Sequence, residues 1–270
     1  MSYINKLNSK LLKAPLNLIQ FNAILESHET FYESIELETE LLISNGYPIY
    51  FSDDFVYLKT KENLIKDQVF CVVDIETSAG NPKAGQIIEL AAIKFKNGSI
   101  IEEYQSLVYC KEIPQKVQEI TGITPKMVED APNLKTVLEE FKIFLEDDVF
   151  VAHSVEFDYN FISNSLKKYH LGELWNRRIC TIDLATRTIE SPKYGLKSLK
   201  ESLNIKIDNH HRAYEDTLST VEVFKVSLQK LDSTIKTTED LIAFSKNAPT
   251  IEEKIKENNK AIKKGIKNEE

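Results

Sequence analysis

Cysteine is scarce in this chain. Cys71, Cys110 and Cys180 are the only three, far apart and without metal-type spacing. A cysteine-built zinc site is therefore not expected. Two of the three sit in apolar strand-like runs, so buried free thiols in a reducing, cytoplasmic setting are expected. No apolar run approaches the length of a membrane span, and the N-terminus lacks a signal-peptide pattern. Positive charge is also in short supply: 34 Lys and Arg stand against 42 Asp and Glu, a net charge of −8. A broad nucleic-acid surface relies on Lys and Arg to neutralise phosphates, so this balance argues against one. It leaves room for a protein that grips a few terminal nucleotides, or one held on its substrate by a partner. No internal repeat is visible. What remains is a 270-residue chain of ordinary globular composition, long enough for one sizeable core and a small extra domain.

Acidic residues, by contrast, occur in telling places. Asp74 and Glu76 close the apolar run Val69-Phe-Cys-Val-Val-Asp-Ile-Glu76. Residues two apart on a strand share a face, so both carboxylates aim one way. The strand before them is apolar on both faces, which marks it as central. Like charges at the end of a buried strand repel, and a cation between the oxygens would relieve them. Two surface acids where the strand meets solvent is the competing reading, and this segment alone leaves both open.

A second acid follows Val149-Phe-Val-Ala-His-Ser-Val-Glu-Phe-Asp158. Ser154 is expected to cap a helix, with Asp158 in its first turn. Positions 158, 161, 162, 165, 166 and 169 form the apolar stripe at helical spacing, so Asp158 heads a buried face. Attraction to the helix dipole explains an acid in the first turn but not one on that stripe. The third segment is His211-Arg-Ala-Tyr-Glu-Asp216, with His211 in a loop and Asp216 near the start of a helix. Leu218, Val221, Phe224 and Leu228 mark one face of that helix. His210, beside His211, is a decoy.

Asp-x-Glu, then Ala-His-x-x-x-Phe-Asp, then His-x-Ala-x-x-Asp, in this order, resemble the three motifs of the DEDD superfamily of 3′–5′ exonucleases. A histidine five positions before the last aspartate is similar to the DEDDh branch and selects His211 over His210. That branch includes the proofreading epsilon subunit of bacterial DNA polymerase III, ribonuclease T and oligoribonuclease. The resemblance spans residues 67–232 and extends to Thr77, to Ile120-Thr-Gly-Ile-Thr-Pro125, to Met127 and to Ala131-Pro132. Two departures stand out. Ser154 replaces the family's usual Asn, and the loop at 78–85 is longer than the family's short turn.

The resemblance implies an α/β fold: a ribonuclease H-like mixed sheet with flanking helices. Periodicity alone supports only a mixed α/β domain. Strands are expected at 69–76, 86–95 and 99–108, with a hairpin at Asn97-Gly98. Helices follow near 115–121 and 134–145, then a strand at 149–152, a helix at 155–169, a short strand near Ile179 and helices to about residue 231. Residues 1–66 are expected to form a small α+β region, helices followed by a hairpin, in the manner of a winged-helix module. Its candidate recognition helix, residues 29–44, carries five glutamates and neither Lys nor Arg, so a docking or structural role is expected rather than DNA reading. Residues 233–270 read as a Lys- and Glu-rich tail, a solvated helix or disordered.

Phosphodiester hydrolysis needs an activated water, relief of negative charge and help for the leaving oxygen, and two divalent ions about 3.5–4 Å apart supply all three. Hard carboxylate ligands suit Mg²⁺ or Mn²⁺. By resemblance, Asp74, Glu76 and Asp216 bind one ion, Asp74 bridges to the second, and Asp158 contacts the metals directly or through water. The resemblance also implies that His211 deprotonates the attacking water and that backbone groups from Ile75 to Thr77 hold the terminal 3′ hydroxyl. His153 and Phe157 are candidates for contacting the last nucleotides, against a loop hydrogen bond for His153 and core packing for Phe157. The implied substrate is the 3′ end of single-stranded DNA and the implied partner a DNA polymerase subunit. RNA trimming, or a catalytically silent scaffold of the same fold, is the alternative.

Overall fold

The computed structural model describes residues 3–28, 34–207 and 211–266. His210 lies outside the described residues. The N-terminal unit runs α1 (Tyr3–Leu11), β1 (Leu16–Asn17), α2 (Leu18–Glu26), α3 (Ile35–Ser44), β2 (Ile49–Ser52), β3 (Phe55–Leu58) and α4 (Lys59–Glu62). Its strands form an antiparallel sheet in the order β1-β3-β2. Asn17 and Gln20 start α2 with a reciprocal capping box. The helix expected from residue 29 starts at Ile35, because Ser34 Oγ accepts from Leu37 N at 3.2 Å and caps it there; residues 29–33 lie outside the described residues. Leu7, Leu11, Phe21, Leu25, Leu42, Tyr47 and Val56 fill a core that belongs to this unit, with Trp175 packed against it from the larger one.

The larger unit opens with β4 (Phe70–Thr77), β5 (Ile87–Lys96) and β6 (Ser99–Leu107). Then come α5 (Gln115–Thr121), a 3₁₀ turn (Pro125–Val128), α6 (Leu134–Leu145), β7 (Val149–Ala152), α7 (Val155–Lys168), β8 (Arg178–Cys180), α8 (Thr181–Thr188), α9 (Leu196–Leu203), α10 (Ala213–Gln229), α11 (Thr238–Asn247) and α12 (Ile251–Ile266). The five-stranded sheet has the order β6-β5-β4-β7-β8. β4, β5 and β6 are antiparallel neighbours, whereas β7 and β8 run parallel to β4, so the sheet is mixed. Asn97 and Gly98 turn the β5–β6 hairpin with φ of 46° and 83°, the left-handed pair a type I′ turn requires.

Strand β4 shows why its sequence is apolar throughout. Cys71, Val73 and Ile75 pack against Leu138, Phe141, Phe161 and Ile162 of α6 and α7. Phe70 and Val72 point the other way, into a cluster with Leu184, Val221, Phe224, Leu241 and Ile242. Helix α10 closes that second face. Leu241 and Ile242 belong to α11, so the chain after residue 232 contributes to the core through α11. Cys71 and Cys110 are buried free thiols, and Cys180 is half-buried. No helix among the described residues is long and apolar enough to cross a membrane.

The two units meet at the turn after α3. Asn45 Oδ1 accepts from Glu173 N at 3.0 Å and from Lys142 Nζ at 3.2 Å, and Asn45 O accepts from Trp175 N at 2.7 Å. Gly46 sits at φ 81°, and a Cβ there would stand 2.2 Å from Asn176 Oδ1, so the close approach needs glycine. Lower on the seam, Thr60 Oγ1 donates to the buried Glu239 at 2.7 Å, and Arg177 clamps the same carboxylate with two bonds of 2.7 Å. Leu64 bridges to Thr237, which stitches the approach to β4 onto the start of α11.

Candidate active site

The end of β4 gathers the acids. Period-2 alternation puts Asp74 and Glu76 on the face of Phe70 and Val72, the one α10 covers. A bulge between Glu76 and Thr77 shifts the register there. Beyond it, the long loop is tied shut by Ser78 N donating to Gln86 O at 2.8 Å and Gln86 N donating to Ser78 Oγ at 2.9 Å. Thr77 Oγ1 donates to Ala79 O at 2.9 Å, so its hydroxyl serves the loop.

Asp158 enters from the first turn of α7, 3% exposed. Its carboxylate accepts from the backbone N–H of Ile75, which ties the head of α7 to the end of β4. Ser154 occupies the N-cap position but makes no side-chain cap bond; its backbone is left-handed, φ 73° and ψ 52°. That corrects the expectation of a side-chain cap, because a left-handed residue does not have the extended backbone of an N-cap.

The third motif arrives on α10. His211 is left-handed at φ 67°, and its backbone N–H donates to Asp216 Oδ2 at 3.2 Å, folding the loop back on the helix it precedes. One ligand atom from each of Glu76, His211 and Asp216 lies within 4.8 Å of the others. Asp74 and Asp158 fall outside that tightest group but are close enough for charge coupling. Burial, then the charges of Asp158, Glu76, Asp216 and Glu89, push the Asp74 carboxyl well above its usual range. Burial first, then Glu89 and Asp216, push Glu76 up to about 7, with Arg212 acting in opposition. Asp158 is raised, chiefly by burial, against two backbone hydrogen bonds that favour its anion. Carboxylates so crowded could be relieved by hard divalent cations, and the chemistry of the donor set, mostly oxygen with one imidazole, is compatible with Mg²⁺ or Mn²⁺. Asp74, Glu76, Asp158 and Asp216 are the residues that could hold them.

The two side chains expected to contact nucleotides lie on the stretch that leads into Asp158. Phe157 is 41% exposed on the first turn of α7, its ring centroid 5.8 Å from that of Phe161. His153 Nδ1 is 2.9 Å from Thr181 Oγ1, the loop hydrogen bond considered for it. Burial lowers the His153 imidazole to about 4. Two residues the motifs did not flag stand beside the acids. Glu89 of β5 lies directly across from Glu76 in the ladder, and Arg212 binds it through both carboxylate oxygens. An acid inside the apolar run Ile87-Ile88-Glu89-Leu90 is the same signal that picked out Asp74.

Residues 71–224 match the family described as exonuclease (RNase T). The DNA polymerase III epsilon subunit of Aquifex aeolicus (strain VF5) is 35% identical over 176 residues, 64% of this chain and 87% of that protein. A PolC-type DNA polymerase III of Thermotoga maritima is 41% identical over 160 residues, 58% of this chain but only 12% of that protein. The chain thus spans a small fraction of the PolC-type relatives. Among solved structures, E. coli Exonuclease I in complex with a dT13 oligonucleotide superposes with a TM-score of 0.56 at 21% identity, over 60% of this chain and 41% of that one, which supports the fold. With the three motifs in order on a ribonuclease H-like sheet, the chain belongs to the RNase T-type exonuclease family, alongside epsilon subunits of DNA polymerase III.

Proposed function

We propose that this protein is a metal-dependent 3′–5′ exonuclease that releases nucleoside 5′-monophosphates from the 3′ ends of DNA, in proofreading or repair. The observation that carries the reading is the convergence of Glu76, His211 and Asp216, with Asp74 and Asp158 electrostatically coupled beside them. The relatives named as DNA polymerase III subunits favour DNA over RNA and a polymerase as partner.

Asp74, Glu76, Asp158 and Asp216 would hold two divalent cations. When bound, these supply charge relief at the scissile phosphate and acidify water. His211 is exposed, so its ring reaches solvent and accepts the proton of the attacking water at an imidazole nitrogen. Backbone groups at residues 75–77 orient the terminal 3′ hydroxyl, and the open face of Phe157 stacks on a terminal base, with His153 beside it. The N-terminal unit, whose helix–strand–helix–helix–hairpin order is winged-helix-like, acts in docking. Its α3 carries Glu36, Glu38 and Glu40 and no Lys or Arg, so it is unsuited to a DNA groove.

The test uses labelled single strands with Mg²⁺. Mononucleotides should leave only from a free 3′ end, and faster from DNA than from matched RNA. A 3′-blocked strand and a circular strand should survive. Asp74→Ala should abolish release, and His211→Ala should lower turnover roughly 10²–10⁴-fold. Cutting of the circle, or turnover that persists in EDTA, would overturn the reading.

A further inference from the structure

A fifth acid beside four that already repel one another needs a reason. Glu89 is 5% exposed and sits across the β4–β5 ladder from Glu76. Its carboxylate is fully engaged. Arg212 Nε donates to Oε1 and Oε2, both at 3.1 Å, and Arg212 Nη2 donates to Oε1 at 2.7 Å. The backbone N–H of Ala213 donates to Oε2 at 3.0 Å. Ala213 is the first residue of α10, and Arg212, in the N-cap position, offers no side-chain cap. Glu89 therefore caps α10 from another element, satisfying a helix-end N–H that would otherwise be buried without a partner.

The residues joined this way bracket the third motif. His211 immediately precedes Arg212, and Asp216 lies in the first turn of α10, its own N–H donating to Arg212 O at 3.0 Å. Across the ladder is Glu76. A fork-shaped guanidinium on a carboxylate fixes distance and orientation together. The pair also adds no net charge. The four acids of the proposed metal site balance two divalent cations, and Glu89 and Arg212 cancel each other.

We infer that Glu89 and Arg212 form a positioning clamp that sets His211 and Asp216 against Glu76, so that the divalent-cation site is assembled in register. The clamp rests on the proposed metal-dependent function for what it positions, but not for its existence. Neither residue touches the reacting atoms, and both act through the residues they hold. Polar partners just outside a metal site orient its ligands in this way, and their loss typically costs roughly 10–100-fold in affinity or activity.

Arg212→Lys separates geometry from charge, since lysine keeps the positive charge and loses the fork. Glu89→Gln keeps the shape and removes the charge. Mn²⁺ binding is read by electron paramagnetic resonance, and kcat and KM on a short single strand are measured in parallel. Each single variant should weaken Mn²⁺ binding and lower kcat by roughly 10–100-fold, with KM nearly unchanged. The double variant should be no worse than the poorer single, because the pair acts as a unit. Wild-type Mn²⁺ affinity and kcat in Arg212→Lys, or additive losses in the double, would overturn the clamp. If Glu89→Gln does not fold, Arg212→Lys alone decides. If no substrate is cleaved by the wild type, the proposed function fails while the Mn²⁺ isotherms still judge the clamp.

Discussion

Asp74, Glu76, Asp158 and Asp216 hold a charge density that the folded chain tolerates poorly without cations, and that gives metal-free protein a definite pH dependence. Glu76 is raised from 4.5 to about 7, and Asp74 and Asp158 are raised as well. Acids raised on folding contribute stability that is complete below their unfolded values and is lost as pH rises through the folded ones. His153 works in the opposite sense. Its imidazole falls from 6.5 to about 4, so its contribution is complete above pH 6.5 and constant beyond it. In EDTA, the melting temperature should therefore fall as pH is raised from about 6.5 to 8. Mg²⁺ or Mn²⁺ should raise it and flatten the slope. Asp74→Asn, which removes one of the repelling charges, should melt higher than wild type in EDTA near pH 8 while losing activity, the trade expected where a site is built for function. A melting temperature that climbs with pH in chelator, or is indifferent to Asp74→Asn, would contradict this account of the cluster.

At the scale of elements, the start of α7 carries backbone strain near the site, as His211 does before α10. Ser154 is left-handed without a compensating cap bond. A non-glycine residue pays about 1–2 kcal/mol for that conformation, and Asn tolerates it better than Ser. Ser154→Asn should raise the melting temperature, by about 2–4 °C per kcal/mol recovered at roughly this chain length. Ser154→Ala should leave it nearly unchanged, since no cap bond is lost. A large drop for the alanine variant, about 1 kcal/mol as for a true cap, would show that the hydroxyl is used after all. The elements were legible where punctuation and periodicity agreed. Asn133 caps α6 and Gly122, left-handed, ends α5, so both helices lie where the spacing predicts. The acids were legible because each interrupts or heads an apolar run. Glu89 carried the same signal, yet its role was not legible. Its partner Arg212 is 123 residues away, and only the β4–β5 register and the packing of α10 bring them together. Ser154 misled because serine before a helix ordinarily reads as a cap.

At the scale of the whole molecule, the boundary near residue 66 is a change of core rather than a place to cut. The chain just before that point is bound to the larger unit: Thr60 supports Glu239, Thr238 N donates to Asn63 O at 3.0 Å, and Lys59 pairs with Asp147. A chain beginning at Asp67 would leave Glu239 with only Arg177 and expose the apolar side of Trp175, so aggregation is expected to obscure any effect on activity. Asn45→Ala is the sharper probe, because it weakens the seam at the turn after α3 without removing either core. The Glu173 N–H would lose its acceptor, and the Lys142 ammonium would be left with Leu171 O at 2.6 Å. Burial already lowers the Lys142 pKa, so its charge is poorly placed to lose a partner. The Glu173 N–H is half-buried, so leaving it unsatisfied costs about 1 kcal/mol, the low end of the range for buried donors, which should appear as a melting temperature lower by about 2–4 °C. The proposed active-site residues are carried by β4, α7 and α10 with the loop before it, none of which supplies a partner to Asn45. Turnover on a short single strand should therefore stay near wild type well below the melting point, while the N-terminal unit becomes more open to proteolysis. Loss of turnover at unchanged stability would show instead that the placement of the N-terminal unit reaches the catalytic residues, and that its part in the molecule is not confined to docking.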